Sequence, residues 1–557
     1  MPVDPGERMS HTTVFEARTV LTMNLAQPRA THVAVREGRI LSVGSLDRMA
    51  QHGPFELDRR FADQVLMPGL VEGHSHLMAG SLWEFPFVGF HARTGPDGRV
   101  WEGCRSFEAV VDRLCEMERA MTDPDAPLIA WGFDPIFFGT QRMTAEDLAR
   151  ISATRPVVVL HASQHLMNVN RAAMARAGIT RDTELEGIPK GADGEPTGEL
   201  QEFAAMFPIV RMIGNRFRIT ATSETGLRLF GAIAQWAGVT TATDLANDLS
   251  DDNVATMLRV TGEDSYPVRL VPLYAGLGAA LPLDQATDRV RRAQAQSTER
   301  LHMGRVKIVA DGSIQGFTAR LKWPGYHNGA PNGIWIQPPE VLRQMIGHFH
   351  AEGFQLHVHT NGDEASEFVI DCFAGALARH ARSDHRHTLQ HCQMAHESQF
   401  HRMARLGLCV NLFANHLYYW GDAHAAQTMG PDRAQRMDAC GTALRHGVPL
   451  AIHSDAPITP MAPLFTAWCA VNRLTSSGQV LGEGERISVD QALYAITMGA
   501  AFTLGMDDRI GSIEVGKWAD FCVLDSDPTQ VAPQALKDVG VAATVLGGQV
   551  TERLRAS

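Results

Sequence analysis

The sequence predicts an α/β protein: a (β/α)8 TIM barrel, a small β-sandwich domain formed from both termini, and a subdomain inserted after the first barrel strand. Three observations carry that expectation. Eight short apolar runs alternate with helix-like stretches through the middle of the chain. Nearly every run ends in His, Asp or Thr, at the end of the strand where a parallel barrel keeps its site. The two chain ends share a different texture, with apolar and polar residues alternating between turn signals.

The first of those ends, "TVFEARTVLTMNLAQPRATHVAVREGRILSVGS", turns at Glu37-Gly38 and reads as a small antiparallel β unit. The texture returns in "GSIEVGKWADFCVLDSD" and "AATVLGGQVTERL". Residues 1–65 and 508–557 are therefore expected to form one composite domain, with two independent caps as the alternative. The barrel is expected over 66–80 and 237–507. Its strand candidates are "VLMPGLVEGHSH" and the runs 238–244, 267–274, 304–311, 354–360, 386–392, 407–413 and 449–455. An open doubly wound sheet is the alternative, but it would not usually load so many strand ends with ligand-type residues. Residues 81–236 are too many for one crossover helix and contain strand-like "APLIAWGF" and "RPVVVLHAS". They are expected to form a subdomain over the barrel mouth.

Bulk properties exclude several function classes. With 50 basic against 62 acidic residues the formal charge is -12, and no basic stripe offers itself to a phosphate backbone. No stretch approaches the ~20 apolar residues of a membrane span. Eight scattered cysteines without a CxxC pair read as reduced thiols. The start "MPVDPGERMSHTTVF" lacks the apolar core of a signal peptide. A cytoplasmic protein with neither nucleic-acid nor membrane partners is the expectation.

The chemistry sits at the strand ends. Residues i and i+2 on a strand share a side, so His74 and His76 in "EGHSH" can both face the barrel mouth. Alone, such a pair is a weak signal. Lys307, in "VKIVADGS", lies within an apolar strand. A lysine reaching outward to water is the ordinary reading. The functional one is a buried amine of depressed pKa that takes up CO2, giving a carbamate able to bridge two metals. Strand five offers His357 and His359, strand six His391, and strand eight Asp455. Each has a bland reading, as a hydrogen-bonded core histidine or a helix-capping Asp. Together, imidazoles and carboxylate make a divalent-metal ligand set, with zinc or manganese the expected ion.

The ordered set "PGLVEGHSH", "VKIVADGS", "HTNGD", "QHCQ" and "HSDAP" resembles the amidohydrolase superfamily, in particular the branch containing N-substituted formamide deformylases. The resemblance implies two divalent ions, zinc first with manganese or iron as alternatives. His74, His76 and Asp455 would hold the more buried ion, His359 and His391 the second, and carbamylated Lys307 would bridge them. His357 would pack behind. It further implies hydrolysis of a non-peptide C–N bond (EC 3.5) in a small-molecule amide by metal-activated hydroxide, with Asp455 carrying the proton, and a homodimer. His165, in "VVVLHASQHLMNV", would hydrogen-bond the substrate carbonyl or a developing oxyanion; a core histidine is the alternative. The chain departs from the family pattern at Glu72, at Ile452-His453 and in "IQGFTARL". These departures read as changes of pocket shape.

Lactone or ester hydrolysis at the same centre stays open. A mononuclear deaminase is disfavoured, because Gly362 stands where such relatives carry Glu. A non-catalytic binding relative would be expected to lose ligands, and all six positions are filled. The aromatic segments "LWEFPFVGF", "WGFDPIFFG" and "NHLYYWGD" suit either an apolar pocket or the insertion's own core. Arg320, Asn332 and Gln393 are candidate polar selectors.

Overall fold

The structure is a computed structural model describing residues 11–139, 141–276 and 281–551. Its centre is an eight-stranded parallel sheet whose strands follow one another in chain order. They are Leu70–Glu72, Val239–Asn247, Arg269–Ala275, Arg305–Val309, Gln355–Thr360, Thr388–His391, Cys409–Leu412 and Leu450–Ile452. The sheet curls into a barrel-like form until its edges meet. Ser75 and Ala456 form a parallel bridge, and the His76 N–H donates to the Ala456 carbonyl at 2.8 Å.

Alternation along each strand decides what faces the barrel interior. Val306 and Ile308 pack outward into the core shared with the helices, as do Leu356, Val358, Leu389, Val410 and Leu412. Their neighbours therefore turn inward. Register sets Lys307 beside His357, Val309 beside His359, and Thr360 beside His391. Lys307 is thus an interior lysine, 3% exposed, and the outward alternative does not hold. Below this polar layer, Val71, Val271, Leu273 and Ala451 close the barrel floor against Ala500, Ala501 and Leu504.

Both chain ends build one seven-stranded mixed sheet. Its central strand, Glu56–Pro68, runs parallel to Thr12–Leu21 and antiparallel to Phe521–Leu524. That strand passes through Gly69 directly into the first barrel strand. A buried ion pair ties this sheet to the barrel: the Arg269 guanidinium donates twice to Asp520, at 2.7 and 3.0 Å, and lies 4.0 Å from the Trp518 ring centroid.

Between the first two barrel strands, Leu128–Phe133, Val157–His161, Leu166–Val169 and Glu199–Gln201 form a four-stranded sheet. Its first pair is parallel and the others antiparallel. Leu82, Phe85, Phe87, Trp131, Leu160 and Met167 give it a core of its own. Among the described residues, no helix is long and apolar enough to cross a membrane.

Candidate metal centre

Five of the six expected ligands converge around one carboxylate. Asp455 Oδ1 lies 3.3 Å from His74 Nε2 and 3.2 Å from His76 Nε2, while Oδ2 lies 3.6 Å from His391 Nδ1. The Lys307 amine stands 3.4 Å from His74 Nε2. His359 is set apart. Its ring is 4.5 Å from that of His391, but its Nε2 faces Asn361 Nδ2 at 3.2 Å and the Gly312 carbonyl at 3.4 Å.

The backbone is bent to aim these groups. His391, Cys392 and Asp455 take positive φ angles of 65°, 50° and 53°. Residues other than glycine hold such angles at a cost of about 1–3 kcal/mol each, typically where function demands it. Glu72 anchors the turn that carries Asp455, its carboxylate accepting the Ser454 N–H at 3.1 Å and the Ser454 hydroxyl at 2.7 Å. Burial pushes the Glu72 carboxyl up to about 8 although these bonds pull the other way. Just beyond strand four, Asp311 accepts the backbone N–H groups of Arg320, Asn361 and Gly362, each at 2.9 Å. That locks the loop beyond His359.

Gln390 sets the tautomer of His74. Its side-chain nitrogen donates to His357 Nδ1 at 2.6 Å and its oxygen accepts from His74 Nδ1–H at 2.7 Å. His74 therefore keeps a lone pair on Nε2, directed at Lys307 and Asp455. His357 supports the site from behind, as the resemblance implies.

The electrostatics suit a cation. Burial holds His74, His359 and His391 well below the ordinary imidazole pKa, so they are neutral and able to coordinate. Burial also drops Lys307 to about 7, against the raising influence of Asp455. Burial alone would raise Asp455, but the adjacent His76, with His453 and Lys307 nearby, outweighs it and lowers the carboxyl. His76 Nδ1, His391 Nδ1 and Asp455 Oδ1 are buried without a hydrogen-bond partner. His76 Nδ1 faces away, towards Asp244 at 3.9 Å, but an unpaired carboxylate oxygen beside His74 Nε2 and His76 Nε2 is what a bound divalent ion would satisfy, so the residues fit a metal. Two triads have donor atoms mutually within 4.8 Å: His74, His76 and Asp455, and His74, His391 and His453. The first matches the expected buried position.

His165 arrives from the inserted sheet. Leu166 pairs with Gln201, so the next residue on each strand is also adjacent, and the Glu202 N–H donates to the His165 carbonyl at 2.7 Å. Their side chains meet as well, with His165 Nδ1 2.7 Å from Glu202 Oε2. Burial lowers the His165 pKa, yet Glu202, backed by Asp455 and Asp311, raises it overall. Its ring stands 5.4 Å from that of His359. His165 therefore lies beside His359, at the edge of the cluster.

Apolar walls rise over this cluster. Ile136, Phe413, Trp420 and Ile458 are buried together, with Phe137, Ala162 and Tyr419 packed on them, and Phe413 stacks on His453 at 4.9 Å. Phe85, Phe87 and Trp131 belong to the insertion's core. Arg320 and Asn332 are not free selectors, since both are bonded to Glu364 and neighbouring backbone. A cavity of about 650 Å³ lies at the opposite ends of the strands by Arg305, Gln355 and Arg386 and has no part in this cluster. A second cavity, about 440 Å³, opens between Trp83, Arg93 and Trp131 of the insertion and Ala456, Pro457 and Thr459 beyond Asp455.

Sequence reasoning gave His453 no place in the cluster and did not single out Gln390 or Glu202. For His453 a signal existed: it stands two residues before Asp455, the spacing that singled out His74 and His76. Gln390 and Glu202 act through partners far away in the chain and carry no local mark.

YtcJ of Bacillus subtilis (strain 168) is 29% identical over 96% of this chain and 98% of its own length. The N-substituted formamide deformylase of Arthrobacter pascens is 25% identical over 95% of this chain and 96% of its own. A crystal structure of an uncharacterized metal-dependent hydrolase from Pyrococcus horikoshii OT3 superposes with a TM-score of 0.71, at 18% identity, over 94% of this chain and 99% of that one. Residues 62–551 match the amidohydrolase family as a whole, and the chain belongs to that family.

Proposed function

We propose that this protein hydrolyses a non-peptide C–N bond, amide or N-substituted formamide-like, in a small molecule carrying an apolar or aromatic group. The observation that carries the reading is the convergence of His74, His76, His391 and the Lys307 amine on the Asp455 carboxylate. The similarity to a formamide deformylase along almost its whole length supports the bond type. Two divalent ions, zinc before manganese or iron, would be held by His74, His76 and Asp455 and by His359 and His391, whose rings stand 4.5 Å apart. Lys307, buried and easily neutral near pH 7, would add to CO2, lose a proton and bridge the ions as a carbamate. When bound, such ions polarise a carbonyl and lower the pKa of water from ~15.7 towards 7.

The chain's own residues do the rest. Asp455 is ionised and faces the interior, so it can take a proton and deliver it to the leaving nitrogen. His165, held by Glu202, presents its other ring nitrogen to the carbonyl oxygen as charge develops there. Phe137, Phe413, Trp420 and Ile458 exclude water and receive the apolar group. A deaminase lacks room for its acid: a Cβ at Gly362 would sit 1.7 Å from the Arg320 carbonyl, so no side chain fits there.

The test is a hydrolysis screen over N-formyl, N-acyl and cyclic amides, with lactones and esters as controls, on metal-loaded and metal-stripped protein. Metal-dependent amide cleavage is expected. Turnover of esters alone, or full activity in metal-stripped protein, would overturn the reading.

A further inference from the structure

We propose that the cavity at the far ends of the barrel strands binds a small molecule carrying a phosphate or carboxylate group, with Arg305 and Arg509 as its anion receptors. This site is separate from the metal centre and does not depend on it. The cavity holds about 650 Å³, within the ~300–1,000 Å³ usual for small-molecule sites. Four arginines reach its wall against three aspartates, in a chain of formal charge -12.

Most of these charges are already engaged. Arg386 holds both Asp384, at 2.7 Å, and Asp507. Arg382 donates to the carbonyls of His350, Gly353 and Phe354, tying down the turn before strand five. Arg305 is different. Its Nε donates to Gln355 Oε1 at 3.2 Å and one Nη to the Leu504 carbonyl, both neutral acceptors. Among the described residues no carboxylate pairs with it and its other Nη has no acceptor. Burial pulls its pKa down to about 10, and Arg509 adds to the fall. It therefore stays charged at neutral pH with nothing to balance it.

Arg509 faces the same space. Its neighbour Asp508, 3.5 Å away, is 70% exposed and so a weak counter-charge. His302, on the same wall, reports both guanidiniums: burial, then Arg305 and Arg509, lower it to about 4. Two cationic forks thus border one cavity with no anion between them. Guanidinium matches the paired oxygens of phosphate and carboxylate, so a ligand oxyanion would fill the open Arg305 position and relieve the repulsion. Arg305 and Lys307 stand two residues apart on strand four and share its inward side. The anion would lie beneath the metal centre, on the strand that carries its lysine.

Calorimetry at fixed ionic strength tests the assignment on the full-length, zinc-loaded protein, with glycerol 3-phosphate and succinate as probes. At least one is expected to bind with one equivalent per chain, and a preference between them identifies the oxyanion. Arg305→Gln and Arg509→Gln should each weaken that binding about tenfold or more, as loss of a charge-assisted hydrogen bond does. Asp455→Asn, altered at the metal centre, should bind the probe as tightly as wild type. Thermal denaturation monitors folding, and Arg509, whose side chain is 48% exposed, decides the matter if Arg305→Gln does not fold. Heat of dilution alone from both probes would overturn the proposal. So would equal binding in wild type and the folded arginine variants, or loss of binding in Asp455→Asn, which would place the anion at the metal centre.

Discussion

Gln390 offers the sharpest test of how this centre is held. Replacing it by methionine keeps the length of the side chain and removes both polar atoms. In the wild type one end accepts from His74 Nδ1–H at 2.7 Å and the other donates to His357 Nδ1 at 2.6 Å, with the side chain fully buried. Gln390→Met strands two buried imidazole nitrogens. At about 1–3 kcal/mol for each unsatisfied group, the metal-free protein should lose about 2–6 kcal/mol before the site relaxes. A second effect falls on the metal. Without its acceptor at Nδ1, His74 can carry its proton on Nε2, which removes the lone pair aimed at the site. Loss of such a support weakens metal binding ~10–100-fold, or about 1.4–2.7 kcal/mol. Urea unfolding of the stripped proteins measures the first effect, and competition against a chelator of known affinity measures the second. If stability falls while metal affinity stays within about threefold of wild type, the bond is structural only and the tautomer argument fails.

Other consequences can be checked alongside. Arg269→Ala should cost about 3–5 kcal/mol in chemical denaturation, because it leaves Asp520 buried and unpaired; unchanged stability would show that the pair is dispensable. Lys307 binds a proton near pH 7 in the fold and near 10.5 when unfolded. The unfolded chain thus holds more protons at Lys307 between these values, and in metal-free, CO2-free protein this group adds a stabilising slope as pH rises through that window, against the opposing slope from Glu72. Lys307→Met should abolish that slope, and an identical slope in both proteins would refute the assignment. Glu202→Gln removes the charge that raises His165. If protonated His165 assists the reaction, the alkaline limb of the pH–rate profile should move to lower pH; a uniform fall without that shift would mean Glu202 only holds the loop.

The barrel was legible because its strands are covered on both faces and read as apolar runs. Each of the eight expected runs overlaps an observed strand. The first run also hides a boundary. Val65–Pro68 belongs to the terminal sheet and only Leu70–Glu72 to the barrel, and nothing in a continuous apolar stretch says which sheet it joins. The sequence left Lys307 undecided between water and the interior. What decides it is the outward packing of Val306 and Ile308 beside it. The pairing of His165 with Glu202 was not legible, since it depends on the register of Leu166 against Gln201 across a long loop. His453 was visible and was read as a change in pocket shape; the fold stacks its ring between His74 and Phe413.

The path of the strand Glu56–Pro68 has a consequence for biosynthesis. It flows through Gly69 into the strand that carries His74 and His76, yet its antiparallel neighbour, Phe521–Leu524, is among the last segments to be made. A nascent chain can own every expected metal ligand once Asp455 has emerged and still lack the partner that steadies the first of them. Metal acquisition should therefore be a late event. A ribosome-bound chain arrested before Phe521 is expected to retain no zinc through gel filtration, whereas one released after Thr551 should.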